Sequence, residues 1–475
     1  MGNSKIFRIA ALFLCLTFAP LLGAADSGVG DYSALAENLA AAMDWDAPAR
    51  ISPEEFAAAK AAADKGDHSA QFAVGAAKFL GAGTDRDYGA AAVYFSMSAF
   101  GGFPYGNFGL GVCARSGRGL AENPKSAFGF FKRAADSGNP RAVNALGVCH
   151  YKGYGTDKNS AEAVKLFTRA AEAGVGRAYV SLGRAALEGR GTAKSPAKAR
   201  EYWGKGAELA NAVAQNNLAV FLAQGLDGNP DEIRAMELMR KSAERGYPPS
   251  QLAYGLALMQ GAGIAQDAAE GFSYIEKAAK SGNPEAQNNL AVCYYNGFGT
   301  TANAALAMHW YTRAAEAGYA EAQNNLADAY LNGAAGEKKP SEAVKWYRRA
   351  AFQGNVSAQS NLGYCYLNGI GVGKSQSSAI KWLKLAAEQG DVSAQSNLGT
   401  CYVNGVGVDT DYAEGVKWLK KAADGGDIQA IGNLGACYYN GLGVERDTER
   451  GIALIRKAAR GGSAEARAAL VRLGL

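Results

Sequence analysis

Ala286–Gly299, AQNNLAVCYYNGFG, decides how this chain is read, because close variants of it return at a fixed interval of 36 residues. Taking Cys293 as the reference, steps of 36 land on Ala77, Cys113, Cys149, Ala185, Phe221, Ala257, Ala329, Cys365, Cys401 and Cys437, with no insertion or deletion. Four residues after each of these eleven positions stands a glycine, from Gly81 through Gly297 to Gly441. An alanine follows each by 22 residues, from Ala99 to Ala459. A constant period of this length means that each copy is one supersecondary unit too small to bury its own apolar face, so the copies stack. The expectation is an all-α fold, an α-α superhelix or solenoid of eleven 36-residue helix-turn-helix repeats.

Each copy reads as helix A, a glycine turn, helix B and a one-glycine corner. Pattern and caps place a helix A over Pro284–Asn296, with Asn283 as its cap and Ala286, Leu290, Cys293 and Tyr294 on its buried face. Gly297 and Gly299 close it, because the helix stop uses positive φ, which costs a side-chain-bearing residue about 1 kcal/mol or more. The second glycine has two exceptions, Asp227 and Ala335. Helix B follows a capping column that runs from Asp87 and Asn123 to Asp411 and Asp447, from which only Lys339 departs. Its stripe in this copy is Ala307, Trp310, Ala314 and Ala315, and Gly318 is the corner, a place held by Ala210 in another copy.

Outside the repeats, Tyr32–Met43 reads as one amphipathic helix and Asp44–Ile51 as a connector. Ser52-Pro53-Glu54-Glu55 begins a helix that runs to Lys65, with serine as cap, proline in the first turn and glutamate completing a capping box. The expected organisation is a leader at 1–25, a non-repeat segment at 26–51, a capping half repeat of helix-B type at 52–68, eleven repeats at 69–464 and a capping helix at 465–475. The 61 glycines are read as sites of close helix packing.

At the start of the chain, Lys5 and Arg8 precede an apolar run from Ile9 to Leu22, which ends in the small residues Gly23, Ala24 and Ala25. That order reads as a secretory signal cleaved after Ala25, with an uncleaved anchor as the alternative. Export to the periplasm or beyond is therefore expected, with no integral membrane segment after cleavage. Losing Lys5 and Arg8 takes the formal net charge from +5 to +3, too little for a basic stripe, which argues against nucleic acid as the partner. Six cysteines remain, all in one column. Equivalent helices of stacked copies lie about 8–10 Å apart, whereas a disulfide wants Cα atoms within about 6.8 Å. The cysteines are therefore read as unpaired small apolar residues.

The columns resemble the Sel-one-like repeat family, a branch of the tetratricopeptide-like solenoids. Leu398-Gly399-Thr400-Cys401-Tyr402-Val403-Asn404-Gly405-Val406-Gly407-Val408, then Trp418, Ala422, Ala423 and Gly425-Gly426, carry its pattern, and the likeness covers residues 53–475. The resemblance implies a right-handed superhelix that serves as a non-catalytic scaffold or adaptor for other proteins. A secreted, cysteine-rich branch ties helix A to helix B by disulfides, and some members are linked to penicillin-type compounds or cell-wall fragments. This chain has no cysteine in any helix B, which argues against that alternative.

No residue set calls for a metal, a cofactor or catalysis. His68, His150 and His309 fall in three unlike columns. Gly369–Ser375 has neither the spacing nor the strand-to-helix context of a phosphate loop. Glu172, Glu208, Glu244, Glu316 and Glu388 read as a solvated face. The asparagine column of Asn217, Asn289, Asn325, Asn361, Asn397 and Asn433 reads as side chains bonding backbone or a neighbouring asparagine at the repeat interface.

By analogy with tetratricopeptide arrays, helix A lines the inner curve, and the columns of Asn288, Val292, Tyr295 and Asn296 face a groove for a protein or peptide partner. The candidate partner-binding residues are Phe72, Phe103, Tyr105, Phe108, Arg115, Tyr151, Lys152, Arg184, Met259, Tyr295, Tyr364 and Tyr439. Phe100–Tyr105 is the segment expected to expose an aromatic patch.

Overall fold

The structure, a computed structural model, describes residues 31–43, 49–334 and 336–475. The expected leader and most of the connector after Met43 lie outside the described residues. Among those described there are only helices, and they divide into two compact units, Met1–Ser281 and Gly282–Leu475.

The first unit begins with α1 (Ser33–Met43) and α2 (Pro53–Asp64), the latter opened by the Ser52/Glu55 capping box. Hairpins follow in pairs: α3 (His68–Leu80) with α4 (Tyr88–Phe100), α5 (Pro104–Ser116) with α6 (Pro124–Asp136), and α7 (Pro140–Lys152) with α8 (Ser160–Glu172). Next come α9 (Gly176–Glu188) with α10 (Pro196–Glu208), α11 (Ala212–Gln224) with α12 (Glu232–Glu244), and α13 (Pro248–Gln260) with α14 (Ala268–Lys280). The second unit holds α15 (Pro284–Asn296) with α16 (Ala304–Glu316), α17 (Ala320–Asn332) with α18 (Pro340–Phe352), and α19 (Val356–Asn368) with α20 (Gln376–Glu388). It ends with α21 (Val392–Asn404) and α22 (Tyr412–Asp424), α23 (Ile428–Asn440) and α24 (Thr448–Arg460), and the shorter α25 (Ala464–Arg472). This is an all-α solenoid of stacked hairpins.

Local chemistry sets these boundaries. Asn283 Oδ1 accepts from the Ala286 N–H at 2.8 Å to open α15, and Gly297 at φ +75° closes it. Asn303 does the same for α16, accepting from the Leu306 N–H at 3.0 Å. Lys339 gives α18 no side-chain cap, as its chemistry requires. At the corner before α11, Ala210 sits at φ 59°, the one non-glycine residue with positive φ among those described. Ala210→Gly is expected to raise unfolding free energy by about 1 kcal/mol, since the left-handed backbone costs alanine about 1–2 kcal/mol. A urea titration checks it, and an unchanged midpoint is the contrary result.

Glycine does two different jobs in the stack. Within helix A it makes room for a large residue of helix B: a Cβ at Gly111 would stand 2.5 Å from the Phe131 ring, and one at Gly363 2.8 Å from Leu383. In the turn, the second glycine lets one repeat rest on the first turn of the preceding helix B. A Cβ at Gly155 would meet the Pro124 carbonyl oxygen at 2.0 Å, and one at Gly371 the Pro340 carbonyl oxygen at 2.2 Å. Where that glycine is replaced by Asp227, its carboxylate instead takes the Arg200 guanidinium of α10 at 2.7 Å, and Gly228 assumes the positive φ.

None of the six repeat cysteines is in a disulfide, and all are buried. Burial pushes the Cys113 thiol up to about 12 and those of Cys149, Cys293, Cys365, Cys401 and Cys437 to about 11. Such thiols stay protonated at neutral pH and behave as small apolar groups.

Candidate partner-binding surface

The expected inner-face columns divide into a buried set and an open set. Phe72 and Phe108, in the column of Asn288, are 0% and 1% exposed and pack on Phe95 and Phe131, with ring centres 5.2 and 6.1 Å apart. Tyr151 is buried too, its ring 6.0 Å from Phe167 and its hydroxyl donating to Glu188 at 2.9 Å. These three are core residues, which corrects their assignment to a binding face. The reason is geometric: helix A packs on its own helix B, on the preceding one and on flanking first helices, so its buried arc is wider than one amphipathic stripe.

Phe103 and Tyr105 are half-buried. Their rings lie 6.2 and 5.6 Å from Phe72 and 5.5 Å from each other, so they close the core, contrary to the expected exposed patch. The exposed aromatic of that segment is Phe100, at 96%. Of the other candidates in the first unit, Lys152 and Arg184 are exposed and Met259 is half-buried. Arg115 is half-buried as well, with its guanidinium 5.5 Å from the centre of the Phe131 ring.

In the second unit the open columns are those of Val292, Tyr295 and Asn296, which share one face of helix A. Tyr295 and Tyr364 are 41% and 46% exposed there, and Tyr439 is half-buried. Asn296, Asn368 and Asn440 are exposed, and their amides donate to the carbonyls of Val292, Tyr364 and Ala436 four residues back. A rung of amides runs between successive first helices: Asn325 donates to Asn288 at 3.0 Å, Asn361 to Asn324 at 3.2 Å, and Asn433 to Thr400 at 3.0 Å.

Asp328 is set into this rung. Its carboxylate accepts from the Tyr347 hydroxyl, from Asn324 at 3.1 Å and from Asn361 at 3.3 Å. Desolvation holds its carboxyl above the usual range, while the Tyr347 and Asn324 bonds pull it down. The same burial, with the carboxylate alongside, drives the Tyr347 phenol up.

A cleft of about 870 Å³ opens on the same face between α19 and α21. Leu367, Asn397, Thr400 and Cys401 line it from the first helices, with Lys374–Ser377 and Val406–Gly407 at its sides. Asn361 and Asn433 spend their amides on neighbouring repeats, but Asn397, in the same column, makes no hydrogen bond among the described residues: 33 residues before it stands Tyr364, where Asn361 finds Asp328 and Asn433 finds Thr400. It brings a free donor and a free acceptor to the cleft.

One ladder escaped the sequence analysis. Gln323, Gln359 and Gln395 are buried, and each donates its amide to a carbonyl at the end of the preceding helix B, Ala315 at 3.0 Å, Ala351 at 3.2 Å and Ala387 at 3.1 Å. Gln71 and Gln251 do the same in the first unit, toward Ala63 and Ala243. The available signal was a glutamine recurring in seven copies at one column, a residue too polar to be buried without a fixed partner.

The fold and the ladders define an α-solenoid of the stacked-hairpin class. The Sel1 repeat family matches it in eleven consecutive segments, 68–100, 104–139 and onward in 36-residue steps to 428–463, and the chain belongs to that family. A protective antigen present in uropathogenic Escherichia coli strains, displaying an SLR fold, is similar over 86% of this chain and 88% of its own, with 32% identity and a TM-score of 0.63. A Sel1 repeat protein from Oxalobacter formigenes is 30% identical over 63% of this chain and 87% of its own, with a TM-score of 0.48. No curated protein matches the chain. Sel1 repeat proteins are generally non-catalytic scaffolds that mediate protein interactions. Among the described residues no helix is long and apolar enough to cross a membrane, and no histidine, cysteine and carboxylate cluster could hold a metal.

Proposed function

We propose that the protein is an exported, non-catalytic scaffold that holds an extended segment of a partner protein across the open face of its first helices, centred on the cleft between α19 and α21. The observation that carries this reading is Asn397, whose amide is left unspent in a column where Asn361 and Asn433 are paired. A side-chain amide with one donor and one acceptor free can bond both groups of a peptide unit, and the adjacent Tyr364 and Leu367 supply apolar contact. Export is supported by the order Lys5 and Arg8, apolar run, Gly23-Ala24-Ala25, and by the description of the Escherichia coli relative as a protective antigen.

The test is site-specific photocrosslinking in the native host. A photoreactive residue at Tyr364 is expected to capture one discrete partner from the exported fraction, and Asn397→Lys is expected to abolish the adduct while leaving the protein folded. A probe at Lys384, exposed on helix B of the same copy, should capture nothing. Equal capture from Lys384, or turnover of nitrocefin by the purified protein, would overturn the reading.

A further inference from the structure

The repeats provide an internal comparison for every surface position, and α4 stands apart from the other second helices. Its sequence, YGAAAVYFSMSAF, contains no charged residue, whereas α6 and every later second helix carries at least two. The column of Met97 holds lysine or arginine in nine of the ten other full copies, with Leu385 as the exception. The column of Phe100 is charged in nine of ten, with Phe352 as the exception, and Phe352 lies edge-on to Trp382 at 5.3 Å. In α6 the guanidinium of Arg133 lies 4.8 Å from the centre of the Phe130 ring, and in α14 the ammonium of Lys277 lies 4.8 Å from that of Tyr274. In α4 Met97 takes that cation's place in the column. The result is an outward stripe of Ala90, Val93, Met97 and Phe100, in which Val93 is 58%, Met97 40% and Phe100 96% exposed. Neighbouring α2 extends it with exposed Ala57 and Ala61, the two helices being linked where Lys60 Nζ lies 5.9 Å from the Tyr94 ring centre.

We propose that this stripe is a homodimer interface in which the α4 helices of two copies cross antiparallel. Two features select a second copy as the occupant. The first is charge: the stripe carries none, and the ions beside it are of both signs, Lys60 paired with Asp64 at 2.6 Å on α2, Lys132 paired with Asp136 at 3.0 Å on α6, and Arg133 of α6 stacked over the Phe130 ring. A polyionic partner or an anionic membrane finds no block of like charge there. The second is size: in an antiparallel pairing centred on Phe95, Phe100 of each copy faces Ala90 of the other, and Met97 faces Val93. Large side chains thus meet small ones under the two-fold, the self-complementarity that an isologous contact needs. The stripe is smaller than the roughly 800 Å² per partner of a standard interface, so the dimer is expected to be weak and concentration-dependent.

Sedimentation velocity of the purified full chain over roughly 1–200 μM covers the range of a weak dimer. A monomer–dimer transition is expected. The triple variant Val93→Lys, Met97→Lys, Phe100→Glu places on α4 the residue types that sister helices carry in these columns, so it should fold with unchanged helical circular dichroism and remain monomeric throughout. Register is tested separately by Ala90→Cys combined with Phe100→Cys, which should give an oxidant-dependent covalent dimer because the six repeat cysteines are buried. A wild-type chain that stays monomeric, a triple variant that still dimerises, or a double-cysteine chain that does not crosslink would overturn the proposal. So would a monomer that floats with phosphatidylglycerol vesicles through the same residues.

Discussion

Gly371→Val is expected to lower unfolding free energy by about 4 kcal/mol, combining about 1–3 kcal/mol of overpacking with about 1–2 kcal/mol for a left-handed backbone. The clash is with main chain, which cannot swing aside: a Cβ at Gly371 would stand 2.2 Å from the Pro340 carbonyl oxygen, 2.3 Å from its carbon and 2.8 Å from the Ser341 nitrogen. Relief requires the turn to lift off the first turn of α18 and to open the seam between two copies. Gly390→Ala is the control. Its φ is +93° and nothing lies within 4 Å of its missing Cβ, so only the backbone term of about 1 kcal/mol should appear. Urea titrations of both variants measure the difference, and equal losses would mean that the contact with Pro340 does not constrain the seam.

Tyr347→Phe is expected to cost about 2 kcal/mol at pH 8, the magnitude of a hydrogen bond to a charged group. Its pH dependence identifies the cause. The phenol donates to the Asp328 carboxylate and draws that carboxyl downward, so removing it raises the folded-state pKa further above the unfolded value. A carboxyl with a raised folded-state pKa gives full stability below its unfolded pKa and loses it as pH rises through the folded value. The gap between wild type and variant should therefore be widest at pH 8 and narrow toward pH 4, where Asp328 takes up a proton. Thermal melts across that range check the sign. A gap that does not depend on pH would mean that the hydroxyl matters only for packing.

The stacking period, the caps and the fate of the cysteines were legible because each repeats. A single ambiguous residue such as Cys293 becomes unambiguous when Cys365, Cys401 and Cys437 occupy the same place and none can reach another. The binding face was less legible for the same reason. Phe72 and Phe108 share a column with Asn288 and Asn324, and whether that column faces solvent depends on how close adjacent first helices approach, which a one-helix periodicity does not encode. Gln359 was passed over because polar residues are assigned outward by default, although its amide ends on the Ala351 carbonyl. Asp328 breaks its column once, and only the proximity of Tyr347, from another helix, gives it meaning.

Successive seams in the middle of the second unit repeat the same few bonds. Gln359 to Ala351 and Gln395 to Ala387 are one bond written twice, as are Ser360 to Asp391 and Ser396 to Asp427. Excising 36 residues from within that run would bring together two edges that already fit, and duplicating them would do the same. Unequal recombination can therefore lengthen or shorten the molecule by whole units without posing a new folding problem, so that reach evolves separately from the chemistry of any one rung.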